Sequence, residues 1–328
     1  MHKSMKQITF SKNIFLPLTH VCANACGYCT FKEPVRDGCV MNPAEVMETI
    51  RKGAAFGCTE ALFTFGERPE LESGFSAHLK RYGYGSILDY AYEMGKICLE
   101  HGILPHTNAG IVTEEEMARL RTVNASMGLM LETTADVAPH VHSPGKDPAV
   151  RIEMIETAGK LKIPFTTGLL LGIGETREDR IESLEVIKEL YLRHRHIQEV
   201  IIQNFCPKPG TGMAHIPGAS IETLTDTLQL AADILPKEIA VQIPPNLADA
   251  GRLLGYGVDD LGGVSPVTID YVNPEHPWPA VEELKALVSS AGYGLSERLC
   301  IYEKYCTAEW VDENVLPFVL ELKKKVYG

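Results

Sequence analysis

The sequence predicts an α/β protein folded as a (β/α)8 barrel, and three observations carry that expectation. Short apolar runs alternate with longer helical patterns eight times along the chain, the pattern of parallel strands each followed by a helix. The chemically unusual residues fall where a strand ends and a helix begins, which is where such barrels hold their sites. No linker, low-complexity run or solenoid repeat divides the 328 residues. One domain over 1–328 is therefore expected, with its core at about 8–305, an N-terminal lead-in and a C-terminal tail. An open doubly wound sheet is the runner-up, because the eighth strand is poorly marked.

Taken in order, strand Ile14–Thr19 leads into a loop with Cys22, Cys26 and Cys29, then a helix over Pro43–Phe56. Ala61–Phe65 leads into Gly66-Glu67 and a helix over Ser86–His101. Leu104–Asn108 ends on Asn108, ahead of Glu114–Leu120, and Met127–Leu131 runs into Glu132, ahead of Pro148–Leu161. Phe165–Leu171 is followed by Gly172 and Gly174 and a helix over Glu178–His194; Glu199–Gln203 by Asn204 and Glu222–Leu235. Ile239–Ile243 precedes Asn246 and Leu247–Leu254, and the weak strand Asp260–Leu261 precedes Ala280–Ala291. Each helical segment repeats apolar residues at three- and four-residue steps.

Composition narrows the function. Apolar residues make up 45% of the chain and the formal net charge is −12, with a pI near 5.4. An acidic chain repels phosphate backbones, so no nucleic-acid partner is expected. No run approaches the roughly 20 apolar residues of a membrane span. Met1–Phe10 has neither an apolar h-region nor a small-residue cleavage site, so no leader is expected and the reading is cytoplasmic. Nine cysteines, an odd number, suit thiols and metal ligands more than a disulfide framework.

The segment Cys22-Ala-Asn-Ala-Cys26-Gly-Tyr28-Cys29 supplies three soft thiolates, and an iron–sulfur cluster takes such ligands. Three ligands leave one iron of a 4Fe–4S cluster open to bind a cofactor. A structural zinc would want four ligands, and no second pair lies nearby. Cys58 and Cys98 read as core, and Cys39, Cys206, Cys300 and Cys306 are too dispersed to suggest a second cluster.

This spacing, with an aromatic before the last cysteine, resembles the radical S-adenosylmethionine (radical SAM) superfamily. The resemblance implies one 4Fe–4S cluster on Cys22, Cys26 and Cys29, with S-adenosylmethionine bound at the open iron. It implies that Gly66-Glu67 meets the methionine ammonium, although Phe65 stands where the family has a glycine. It implies Glu132 for the ribose hydroxyls, Arg151 for the methionine carboxylate, and Gly172 and Gly174 of the GLLLGIGE run along the adenine, joined by the Tyr28 backbone. The alternative for Arg151 is a surface helix charge, and that for Glu67 an exposed turn residue.

Longer segments narrow the resemblance: ITFSKNIFLPLTHVCANACGYCTF, ALFTFGERPE, HTNAGIVTEEEMARL, IIQNFCPKPGTGM and DDLGGVSPVTIDYVNPEHPWP. They are similar to the cyclising subunit of synthases that make the deazaflavin 7,8-didemethyl-8-hydroxy-5-deazariboflavin. The resemblance implies ring closure of a hydroxybenzyl–ribitylaminouracil adduct with loss of ammonia. The resemblance also implies that the adduct comes from a sibling radical SAM subunit, and an electron donor such as ferredoxin or flavodoxin is expected to reduce the cluster. Amides and hydroxyls suit such a substrate, which makes Asn108, Gln203, Asn204, Asn246, Ser265, Thr268 and Asn273 candidate ligands and His276 a candidate acid or base. Two alternatives keep the cysteines. One is another radical enzyme: the tyrosine-using sibling, a menaquinone-pathway enzyme or a hydrogenase-cofactor maturase. The other is an electron-transfer or cluster-carrier protein.

Overall fold

A computed structural model describes residues 5–328. Met1–Ser4, the start of the lead-in and of the stretch read as lacking a leader, lie outside the described residues. Nine strands form one parallel sheet: β1 (Gln7–Leu16), β2 (Glu60–Thr64), β3 (Leu104–Asn108), β4 (Ser126–Gly128), β5 (Phe165–Leu171), β6 (Ile197–Asn204), β7 (Ala240–Gln242), β8 (Asp260–Val264) and β9 (Gly294–Arg298). Each of β1 to β7 pairs with the next, and β8 pairs with β1, so the barrel closes and the open sheet is excluded.

Side-chain alternation divides each strand between two environments. The outward set includes Ile14 and Leu16, Ala61 and Phe63, Leu169 and Leu171, and Val200 and Ile202, all buried in the main core. Burying one such side chain contributes about 1.5–3 kcal/mol. Gly53, in the helix Pro43–Ala55, lets that helix close onto Ile14, where a Cβ would meet the Ile14 side chain. The helices begin where the sequence places caps. Asn42, Ser86, Thr113, Asp147, Thr176 and Ser220 each accept a first-turn N–H, typically worth about 1 kcal/mol.

The structure departs from expectation in several elements. β1 starts at Gln7, not Ile14, and ends at Leu16; Thr19 instead makes an antiparallel bridge to Val40. β4 has three residues, because after Gly128 the chain leaves the ladder until Glu132 bridges Leu169. The weakly marked eighth strand runs to Val264. The Leu247–Leu254 helix is confined to Ala250–Leu253 plus a 3-10 turn. The helices Phe75–Arg81 and Leu316–Val326, and β9, are additional.

β9 pairs with Gln7–Ser11 of β1, on the edge that β2 takes from Asn13 onward. From there the tail closes the bottom of the barrel. Leu299, Ile301, Tyr305, Val315 and Val319 pack with Leu104 and Ala125, which stand at the entries of β3 and β4. The top, where the strands end, is left open. Among the described residues no helix is long and apolar enough to cross a membrane.

Candidate active site

The loop after β1 is stitched across the open end of the barrel. Ala23 N donates to Glu67 O (2.8 Å), Gly66 N to Thr19 O (2.9 Å), Ala25 N to His142 O (3.1 Å) and Gly27 N to Pro139 O (2.9 Å). Gly66 is required there, since a Cβ would collide with the Val21 carbonyl oxygen and Cys22. The loop delivers Cys22, Cys26 and Cys29 to one wall of a cavity of about 400 Å³, within the size range of ligand sites.

Two of the sulfurs meet hydrogen-bond donors: Glu67 N donates to Cys22 Sγ and the Ser143 hydroxyl to Cys26 Sγ, both at 3.3 Å. Burial pushes both thiols up; N–H groups of Asn24 and Glu67 at Cys22, and Lys146 at Cys26, pull the other way. Among the described residues, no three His, Cys, Asp or Glu side chains converge closely enough for a single metal ion. Cluster ligands do not need to converge, because each takes a different iron. Three thiols spread along one wall, two with donors to sulfur, fit a 4Fe–4S cluster better than a mononuclear ion.

Beside the cysteines stand two buried carboxylates. Glu67 lies between Gly110 and Gly145, where any Cβ would overlap its carboxylate. Its Oε2 accepts from Ile111 N (3.1 Å) and lies 3.9 Å from Arg151 Nη2. Arg151 is 3% exposed, and donates to the Gly145 and Met130 carbonyls. The surface-charge alternative for Arg151 and the exposed-turn alternative for Glu67 are both overturned. Glu132 has a left-handed backbone (φ 67°), uncommon outside glycine and a feature that clusters at functional sites. Burial raises its carboxyl pKa, but Lys146 and Arg151 more than offset this and hold it below the usual range. Lys146 forms its ion pair. Tyr28 lines the cavity, its hydroxyl 3.1 Å from His140 Nε2.

Other expected residues divide. Asn108, Gln203, Asn246 and Asn273 line the cavity. Asp270 fixes two of them, accepting from Asn246 Nδ2 (2.9 Å) and Asn273 Nδ2 (3.1 Å). The others do not line it. Gly172 and Gly174 form a left-handed turn whose N–H groups at Gly172 and Ile173 bind Glu175; Leu170 represents that strand in the cavity. Asn204 turns its Nδ2 to Leu247 O (2.9 Å). Ser265 accepts from Thr268 N, and Thr268 Oγ1 accepts from Phe15 N, so this pair ties the loop after β8 to β1. His276 is half-buried, with its carbonyl held by Asn246, and its ring does not reach the cavity wall. Sequence reasoning missed Lys146, whose signal was its place in the loop between Glu132 and Arg151. It also missed Glu60, His106, Glu199, Gln242 and Arg298, which line the lower cavity.

The Radical SAM superfamily profile matches residues 16–187. The chain is 61% identical to a 7,8-didemethyl-8-hydroxy-5-deazariboflavin synthase of Methanoculleus marisnigri, over 99% of this chain and 97% of that one. It belongs to the radical SAM superfamily and, within it, to that synthase family. A synthase of Archaeoglobus fulgidus, 51% identical over 96% of both chains, is a more distant relative. Among solved structures, methylornithine synthase superposes with a TM-score of 0.63 at 18% identity, covering 87% of this chain and 81% of that one. An FeFe-hydrogenase maturase superposes at 0.68 and 16%, covering 96% and 69%. These two likenesses are of fold. The radical SAM family implies a 4Fe–4S cluster and S-adenosylmethionine, and the cysteine wall with its paired carboxylates matches that demand.

Proposed function

We propose that this chain is a radical lyase that closes the deazaflavin ring system. The substrate is a hydroxybenzyl–ribitylaminouracil adduct, and ammonia is released. One observation carries the reading: the three cysteines, Glu67, Glu132 and Arg151 line the same cavity as Asn108, Gln203, Asn246 and Asn273. Cofactor and substrate groups thus share one enclosure, which a cluster carrier would not need. The near-full-length identity to named deazaflavin synthases supports the choice of substrate.

In this reading Cys22, Cys26 and Cys29 hold the cluster. Bound there, the cluster and S-adenosylmethionine supply a carbon radical that abstracts hydrogen. Glu67 takes the methionine ammonium in place of Arg151, which turns to the methionine carboxylate. Glu132 accepts from the ribose hydroxyls in place of Lys146. The existing ion pairs keep these charges compensated until the ligand enters, since an unpaired buried charge is costly. The Asp270-anchored amides of Asn246 and Asn273 meet the uracil edge. The adduct comes from a sibling radical SAM subunit, and a small electron-transfer protein reduces the cluster.

The experiment is anaerobic turnover with reductant, S-adenosylmethionine and the adduct generated in place by the sibling enzyme. Deazaflavin fluorescence that depends on this chain supports the reading. 5′-Deoxyadenosine without deazaflavin would refute the substrate, and neither product from a cluster-loaded chain would favour the carrier alternative.

A further inference from the structure

Most (β/α)8 barrels fill their interior with layers of branched apolar side chains. Here the lower interior is polar and hollow. Asn13, Glu60, His106, Thr166, Glu199 and Gln242 face it from six strands, and Gly128 and Gly263 from the other two. Asn13 and Glu60 are direct ladder partners, as are Gly128 and Thr166, and Thr166 and Glu199, so the belt follows one level of the barrel. The two glycines create room: a Cβ on Gly263 would strike the Asn13 amide, and one on Gly128 the Asn108 amide.

Arg298 closes the belt from below, with four of its five N–H donors already engaged. Its Nε and Nη2 donate to Asp260 at 2.6 and 2.7 Å, Nη2 also to Glu199 (2.7 Å), and Nη1 to Leu299 O (3.0 Å). The groups left over are short-range hydrogen-bonding ones. Ser11 holds Oε2 of Glu60, while Oε1 has no partner among the described residues. Asn13 is 1% exposed, and its Oδ1 is without a partner. His106 pairs through Nδ1 with Ser126 Oγ (2.7 Å) and also meets the Asn108 side chain at the cavity wall. Above the belt the wall changes to Phe15, Leu62, Ile201, Pro244 and Trp278, flat and apolar.

A ring system suits that upper wall, and the floor suits a flexible chain whose every substituent both donates and accepts. We propose that the belt of Asn13, Glu60 and His106 is the subsite for a polyol chain. The ribityl end of the substrate enters first, and the rings stop beneath the cysteine loop. This rests on the function proposed above. It adds an orientation and a set of recognition residues.

The test titrates cluster-loaded protein, by fluorescence, with two ligands: the ribityl deazaflavin and an analogue bearing a methyl group in place of the ribityl chain. The ribityl compound should bind at least about tenfold tighter, the effect of two or so net hydrogen bonds. Glu60→Ala and, separately, Asn13→Ala should each pull that ratio toward one. The wild-type comparison does not depend on either variant folding. Equal affinity for both ligands in the wild type would overturn the subsite and leave the proposed function standing. Binding of neither would overturn both. A folded Glu60→Ala protein that kept the full preference would overturn the placement at the belt.

Discussion

At the scale of single residues, the loop of cysteines depends on a contact that only glycine permits. Gly66→Ala would push a methyl group into the Val21 carbonyl and the Cys22 side chain, and backbone cannot yield as a side-chain end can. The expected result is a folded protein with markedly less iron and sulfide bound per chain than wild type; full loading would contradict it. His196 makes a different point. Burial lowers its pKa to about 3, while one ring nitrogen holds Ile155 O at 2.8 Å. Below the ordinary histidine pKa of about 6.5 the unfolded chain therefore takes up a proton that the folded chain refuses, so stability falls with pH. Relative to His196→Phe, the wild-type urea midpoint should drop between about pH 7 and about pH 5, and parallel curves would contradict this. The cysteines were legible from their spacing, whereas Glu67, Glu132 and Arg151 came only from the family resemblance and are gathered in one cavity by the fold. Lys146 was not legible, since a lone lysine after a Pro-Gly turn looks like any surface charge. Gly172 and Gly174 were read as an adenine contact, but their turn is closed by Glu175 instead.

At the scale of elements, the informative strand is the one the sequence hid. The β9 segment, Gly-Leu-Ser-Glu-Arg, contains no β-branched residue, so propensity argues against it. Pairing with β1 overrides that, and Arg298 anchors it between Asp260 and Glu199. Asp260 is raised by burial, but Arg298 outweighs this and holds its carboxyl below the usual range. Replacing Arg298 with Met would leave the Asp260 carboxylate uncompensated, which typically costs about 3–5 kcal/mol. The penalty should be greatest near neutral pH and shrink as acid neutralises that carboxylate. Urea unfolding at two pH values checks this, and an equal loss at both would contradict it. Strand and helix alternation was legible from periodicity across the other eight units. Their inner faces were not, because which parity of a strand faces inward depends on closure. Glu60, His106 and Glu199 could therefore be seen in the sequence without being placed together.

At the scale of the whole molecule, the barrel is closed below by its tail and open above, with cofactor residues at the rim and hydrogen-bonding groups at depth. That shared cavity is what would bring a radical made at the cysteine wall within reach of a substrate bound below it. The measurement that tests this most directly is anaerobic turnover of wild type and Cys22→Ala with the adduct, following deazaflavin fluorescence and 5′-deoxyadenosine together. Both products are expected from the wild type and neither from the variant. Deazaflavin formed by Cys22→Ala, or 5′-deoxyadenosine from the wild type with no deazaflavin, would contradict this.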